Sequence, residues 1–124
     1  MSDKKYKILT EFVNDLSSET KDVETYIFVK DNISKYNLGI DIISKALKDK
    51  VIEIKTNFKF EDKTDNPKKS YFEIIYTTII KVDEEIKEKK DLERIILCDV
   101  QNEIYPRMEK VFINLLETSG YKGI

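Results

Sequence analysis

The chain has 124 residues, of which 40% are hydrophobic and 37% charged, and its formal net charge is -2. This length provides for one domain with a single modest core and excludes a two-domain protein. The interspersed Lys, Asp and Glu side chains produce no overall field that would hold nucleic acid or an anionic membrane.

The residue types that are absent narrow the function further. The sequence has no histidine, which is the commonest general base, the usual partner of a nucleophile and the commonest zinc ligand. We therefore expect a protein that is not an enzyme and holds no metal or cofactor. Cys98 is the only cysteine, so no internal disulfide can form, and its apolar neighbours predict a buried side chain. With no secretory signal and no membrane-length apolar run, the expected compartment is the cytoplasm.

The first element is a predicted strand over residues 6–15. Apolar and polar residues alternate there, with Asp15 on the solvent side and four residues predicted to share the core side: Tyr6, Ile8, Thr10 and Phe12. Residues 17–25 are polar and predict a connection. The short apolar piece that follows, residues 26–29, fits either a strand or an ordered loop.

Three further strands are predicted over residues 36–42, 51–60 and 71–82, each from period-two alternation. Their predicted inward sets are Tyr36, Leu38, Ile40 and Ile42, then Ile52, Ile54, Phe58 and Phe60, then Phe72, Ile74, Tyr76, Ile80 and Val82. Short polar segments join successive strands, which favours an antiparallel sheet.

Two helices are predicted after the strands. Asp91 is a candidate N-cap for a short helix, and a long helix is expected to start near Pro106 and end before a left-handed Gly120. Ile113 and Leu116 lie off the main apolar stripe of the long helix, which indicates that a second copy of the chain covers them. The predicted fold is α+β over residues 1–124, with a four-stranded antiparallel sheet and the short and long helices on one face.

The chain resembles the SecB family of bacterial protein-export chaperones. The residues that carry the resemblance are Phe12 to Glu19, Tyr36 to Asp41, Val51 to Ile54, Tyr71 to Tyr76, Ile104 to Arg107 and Ser119 to Tyr121. The resemblance implies a homotetramer, a dimer of dimers whose long helices pack between the sheets, with Met108, Phe112, Ile113 and Leu116 at the interface. Family members usually continue past the Gly120 region into a C-terminal helix, which we expect to be missing here.

The resemblance also implies a function and the residues that perform it. Such chaperones hold newly made preproteins unfolded, without using ATP, and deliver them to the export ATPase SecA. Apolar grooves that bind extended segments would be lined by Ile27, Phe28, Tyr36, Leu38 and Ile40. An acidic SecA-binding face would be formed by Asp15, Glu19, Tyr71 and Glu73.

Three alternatives remain open. The first is a SecB-like chaperone dedicated to one client, such as an antitoxin. The second is a small enzyme or ligand-binding domain that uses Glu53 with Glu73, or a hard-cation site at Glu61, Asp62 and Asp65, although residues 61–66 lack the glycine and spacing of a calcium loop. The third is an oligomeric scaffold without a client.

Overall fold

The computed structural model describes residues 5–121. A four-stranded sheet is covered on one face by helices. The elements in chain order are β1 (Tyr6–Glu19), α1 (Val23–Asp31), a 3-10 turn (Ile33–Lys35), β2 (Asn37–Ala46), β3 (Val51–Glu61), β4 (Tyr71–Val82), α2 (Lys89–Arg94), a π-helical turn (Ile95–Asp99) and α3 (Val100–Thr118).

The strands are all antiparallel and lie in the order β1-β4-β3-β2. The predicted inward sets of β3 and β4 are confirmed, because those side chains are buried beneath the helices and alternate with more exposed neighbours. The α+β fold with a four-stranded antiparallel sheet is therefore confirmed. Its central strands are β4 and β3, so β1 and β2 form the two edges within one subunit.

β1 is longer than predicted, and its faces change along its length. Its register against β4 shifts between Ile8 and Thr10 and again between Val13 and Asp15. Each shift moves the following side chains to the opposite face of the sheet. The prediction that Thr10 and Phe12 share the core face of Tyr6 and Ile8 is therefore wrong. The second shift restores the original phase, so Asp15 lies on the outer face as expected.

The predicted short and long helices form one nearly continuous rod. α2 begins at Lys89, with Glu88 rather than Asp91 at the N-cap, and continues through the π-helical turn into α3. Pro106 lies inside α3, so the prediction that it begins the long helix is wrong. Gly120 follows the helix with a φ of 99°, as expected. In the described part of the chain, no helix is sufficiently long and apolar to cross a membrane.

Residues 23–31 form a helix, α1, so neither the strand nor the loop expected for residues 26–29 is correct. The Oδ1 atom of Asp22 accepts a hydrogen bond from the backbone N–H of Thr25 at 2.8 Å and caps this helix. A continuous run of four apolar residues does not distinguish a strand from a short buried helix. The polar cap before them was the local signal for a helix.

The long helix packs on the sheet of its own subunit. Met108, Phe112 and Leu116 are buried in that core, with Leu116 only 1% exposed. The prediction that Leu116 needs a second copy for cover is therefore wrong, whereas Ile113 is half-buried. Cys98 is exposed, contrary to the expected burial, because the π-helical turn places it on the solvent side of the rod.

Candidate functional site

An exposed apolar strip runs along the edge strand β2. Leu38 and Ile40 are 42% and 50% exposed, and both point to the helix-covered side of the sheet. Their cross-strand partners on β3, Phe60 and Phe58, are 9% and 2% exposed. The helical cover therefore ends between β3 and β2, and the strip lies next to the core without being part of it.

The long helix forms one side of this strip. Its Tyr105 is 41% exposed, and the Tyr105 ring centroid lies 6.2 Å from that of Phe58. Phe112 makes edge contacts with Phe58 and Phe60 at 6.1 and 5.3 Å between ring centroids. We name the trough bounded by Leu38, Ile40 and Tyr105 the β2 groove. Tyr105 was missed in the sequence, although its spacing from Phe112 places both residues on one side of a helix.

Tyr36 does not line the groove, contrary to the prediction. Its side chain is 7% exposed, and its ring lies 5.3 Å from that of Phe60. The Tyr36 hydroxyl donates to the carbonyl of Ser70 at 3.1 Å and accepts from the N–H of Ser70 at 2.8 Å. Burial raises the pKa of this hydroxyl, so it stays neutral. Tyr36 therefore fixes the start of β2 to Ser70 and to the core.

The other two predicted groove residues lie on α1. Ile27 is 54% exposed and Phe28 is half-buried. α1 continues through the 3-10 turn directly into β2, so its position is tied to that of Leu38 through residues 32–36. The inward side of α1 is anchored by Val29, which is 1% exposed. The chain path thus joins α1 to the end of β2 at which Leu38 lies.

The predicted acidic residues come together on the opposite, outer face of the sheet. Glu19 pairs with Tyr71, and Ser17 pairs with Glu73, while Asp15 pairs with Ile75 on the same face. These pairings place the carboxylates of Asp15, Glu19 and Glu73 at one end of the sheet. We name this surface, formed by Asp15, Glu19, Tyr71 and Glu73, the acidic face.

A hydrogen bond orders the centre of the acidic face. The Tyr71 hydroxyl donates to the Oε1 atom of Glu73, and this bond lowers the pKa of the Glu73 carboxyl and raises the pKa of Tyr71 to about 12. Glu73 is therefore ionised at neutral pH. Glu61 also acts on Tyr71 electrostatically and extends the negative surface. Glu61 was predicted only as part of an alternative cation site and not as part of the acidic face.

A polar clamp fastens the long helix to the β1 side of the sheet. Arg107 donates to Glu11 through Nε and Nη2 at 2.6 and 2.7 Å, and the Tyr76 hydroxyl donates to Glu11 at 2.5 Å. Burial alone would raise the pKa of Glu11, but these hydrogen bonds lower it below its usual value. The clamp holds α3 towards β1, which leaves the β2 side uncovered.

The alternative chemical sites do not assemble. Glu53 pairs with Ile79, six positions along β4 from Glu73, which separates the two carboxylates by roughly 20 Å. The Asp62 carboxylate accepts from the N–H of Thr64 at 2.9 Å and so holds the turn before β4. Within residues 5–121, no group of three or more metal-ligating side chains could hold a metal ion.

Comparisons with known proteins agree with the fold and the expected family. The whole chain, residues 1–124, matches the family model described as preprotein translocase subunit SecB. The putative protein-export protein SecB of Pelagibacter ubique (strain HTCC1062) is 57% identical over 119 residues, which cover 96% of this chain and 85% of that relative.

Two solved structures share the fold at low sequence identity. One is a Mycobacterium tuberculosis SecB-like chaperone in complex with a ChAD peptide from the HigA1 antitoxin, with a TM-score of 0.70, 8% identity and coverage of 97% of this chain and 84% of that one. The other is a protein of unknown function from Streptococcus agalactiae, with a TM-score of 0.50, 14% identity and coverage of 91% and 88%. At these identities the likeness concerns the fold alone.

Proposed function

Since this chain belongs to the SecB family, we propose that it is a molecular chaperone that binds unfolded preproteins in the β2 groove and keeps them competent for export. The observation that carries this proposal is the exposure of Leu38 and Ile40 beside a closed core. Folded proteins hide their apolar segments, so such a groove selects chains that have not folded. We further propose that the protein works in the cytoplasm and uses no nucleotide.

The affinity would come from many modest contacts. Burial of apolar surface contributes about 25 cal/mol per Å², so each half-exposed Leu or Ile in the groove adds only a modest amount. Several grooves in one assembly, engaged by one long client, raise the overall affinity through effective concentration. This arrangement suits a chaperone, because it does not require a particular client sequence.

The proposed function is tested by an aggregation assay. We expect the purified protein, in molar excess and without ATP, to suppress light scattering when a denatured preprotein is diluted from urea. The same preprotein folded to its native state before mixing serves as the control and should not bind. Scattering that is unchanged by the protein would contradict the chaperone function.

General export is favoured over a dedicated antitoxin chaperone. The relative named as a protein-export protein is 57% identical to this chain, whereas the structural neighbour seen with an antitoxin peptide is 8% identical. Within residues 5–121 the acidic pairs proposed for an enzyme or a cation site do not come together, and the exposure of Leu38 and Ile40 favours a protein with a client over a scaffold without one.

We also propose that the acidic face docks the SecA ATPase. Its carboxylates are presented from paired strands, so a basic partner segment would meet charges that need little reordering. Glu73 is held ionised by Tyr71, which keeps one of these charges in place at neutral pH. This arrangement supports a fast, salt-sensitive encounter.

Charge reversal on this face provides a prediction. The double variant Asp15→Lys and Glu73→Lys is expected to weaken SecA binding about tenfold or more at low salt, because like charges would then face a basic partner. Glu93→Lys with Glu117→Lys makes the same change in net charge on exposed helical positions and should have little effect. Titration calorimetry at low and moderate salt measures both variants. Equal affinities for the two would reject the docking site.

We propose that the functional form is a homotetramer. β1 is a free edge of the sheet in one subunit, and on its helix side Val13 and Leu16 are 39% and 49% exposed. Ile113 on α3 packs against the edge of the core and is only half-buried. A second copy that packs on this side would remove these apolar groups from water.

A further inference from the structure

Tyr26 connects α1 to the end of the long helix. Its hydroxyl donates to the backbone carbonyl of Gly120 at 2.7 Å. Its ring lies 5.2 Å from the ring of Tyr121, and that ring makes an edge contact with the buried Phe72 at 5.7 Å. We name the contact between Tyr26, Gly120 and Tyr121 the Tyr26 latch.

The backbone at the latch accepts only glycine. Gly120 has a φ of 99°, which side-chain-bearing residues rarely adopt. A Cβ atom placed at residue 120 would lie 2.6 Å from Cε1 of Tyr26 and 3.0 Å from its hydroxyl oxygen. The Tyr26 ring therefore occupies the space that a side chain at residue 120 would need.

The latch continues into a buried polar junction. The Tyr121 and Ser70 hydroxyls lie 3.3 Å apart, and Ser70 also contacts the Thr20 hydroxyl at 2.8 Å. Tyr36, at the start of β2, bonds to both backbone groups of Ser70. The end of β1, the start of β2 and the end of α3 thus meet at Ser70, and Tyr26 ties α1 to this junction.

Within residues 5–121, only a small part of α1 is buried. Thr25 and Val29 are its buried residues, whereas its first residue, Val23, is 72% exposed. A nine-residue helix is only marginally stable by itself, so its position must be set by tertiary contacts. Within residues 5–121, the Tyr26 hydroxyl gives α1 a hydrogen bond to a distant part of the chain, the carbonyl of Gly120.

We propose that Tyr26 is a positioning residue for client binding: the Tyr26 latch fixes α1 to the end of the long helix and so holds Ile27 and Phe28 at the Leu38 end of the β2 groove. This inference rests on the proposed chaperone function. It predicts that the latch, which touches no client itself, sets the affinity for extended apolar peptides.

Tyr26→Phe tests the latch by removing only the hydroxyl. We expect amide exchange in residues 23–31 to become about threefold to tenfold faster, and the affinity for a fluorescent apolar peptide from an unfolded preprotein to fall by about the same factor. The matched control is Tyr6→Phe, which removes the hydroxyl that donates to Oε1 of Glu103 at the opposite end of the sheet. This control should leave α1 exchange unchanged and peptide affinity within about twofold.

Gly120→Ala tests the same contact from the other side. It should weaken peptide binding more in the wild-type background than in a Tyr26→Ala background, where the clash with the Tyr26 ring is gone and only the strain of the left-handed backbone remains. Wild-type affinity in Tyr26→Phe, tighter binding, or equal weakening in Tyr6→Phe would each overturn the inference. If the wild-type chain binds no unfolded peptide, the proposed function fails instead. The rate of amide exchange in residues 23–31 then tests the latch by itself. An unchanged exchange rate in Tyr26→Phe rejects the latch.

Discussion

Replacement of Leu38 and Ile40 by serine is expected to weaken client binding by about 30- to 150-fold, since each half-exposed side chain contributes roughly 1 to 1.5 kcal/mol when a client buries it. Both residues lie on the edge strand β2 and are 42% and 50% exposed, so the core loses little. Fluorescence anisotropy with a labelled unfolded peptide measures the change. The aggregation assay should show a matching loss of protection.

The same strand provides a matched control. Ile43 is 62% exposed and pairs with Lys55 on the outer face, whereas Ile40 pairs with Phe58 on the helix side. Ile40→Ser and Ile43→Ser therefore make the same chemical change, with the same loss of strand propensity, on opposite faces of β2. Ile40→Ser should weaken binding about fivefold to tenfold, and Ile43→Ser should leave it within about twofold. Comparable losses for both variants would show that clients do not bind in the β2 groove.

Light scattering on the native protein is expected to give about four times the mass of one chain, which is 14.6 kDa. In Ile113→Asp this mass should fall by half or more, because a carboxylate buried in an apolar interface costs several kcal/mol. Ile113 is only half-buried in one subunit, so the fold itself should persist, as circular dichroism can verify.

The control for assembly is Val23→Asp. Val23 is 72% exposed at the start of α1, where an acidic residue is compatible with the helix. This variant should retain the wild-type mass. A monomeric wild-type protein, or an Ile113→Asp variant with unchanged mass, would contradict the proposed tetramer and the place of Ile113 in its interface.

Side-chain periodicity was sufficient for the central strands. In β3 and β4 the inward face is buried along its whole length and the pairing has no register shift, so the predicted inward residues are buried, although Thr77 on the outer face of β4 is buried as well. The prediction was wrong where the chain departs from regular geometry. Two register shifts in β1 exchange its faces, and no local feature of residues 8–15 indicated them.

The residues of the candidate site could be predicted only in part from the sequence, for a related reason. Leu38, Tyr36 and Ile40 follow one alternating pattern, yet Tyr36 is core and the other two are exposed. Alternation identifies a face of a strand, but the extent of helical cover decides whether that face is buried. That cover is set here by contacts of α3 with β1 and β3, including the salt bridge from Arg107 to Glu11.

The sequence by itself determined the strand-rich α+β pattern, the inward residues of the central strands, the left-handed Gly120 and the family, because each depends on local spacing or on short ordered motifs. The tertiary structure alone decided that Tyr36 is buried while Leu38 and Ile40 are exposed, that Leu116 is covered within the subunit, and that the acidic residues share one end of the outer face. These features depend on which distant segments pack together, and such contacts combine many small free energies that no local pattern records.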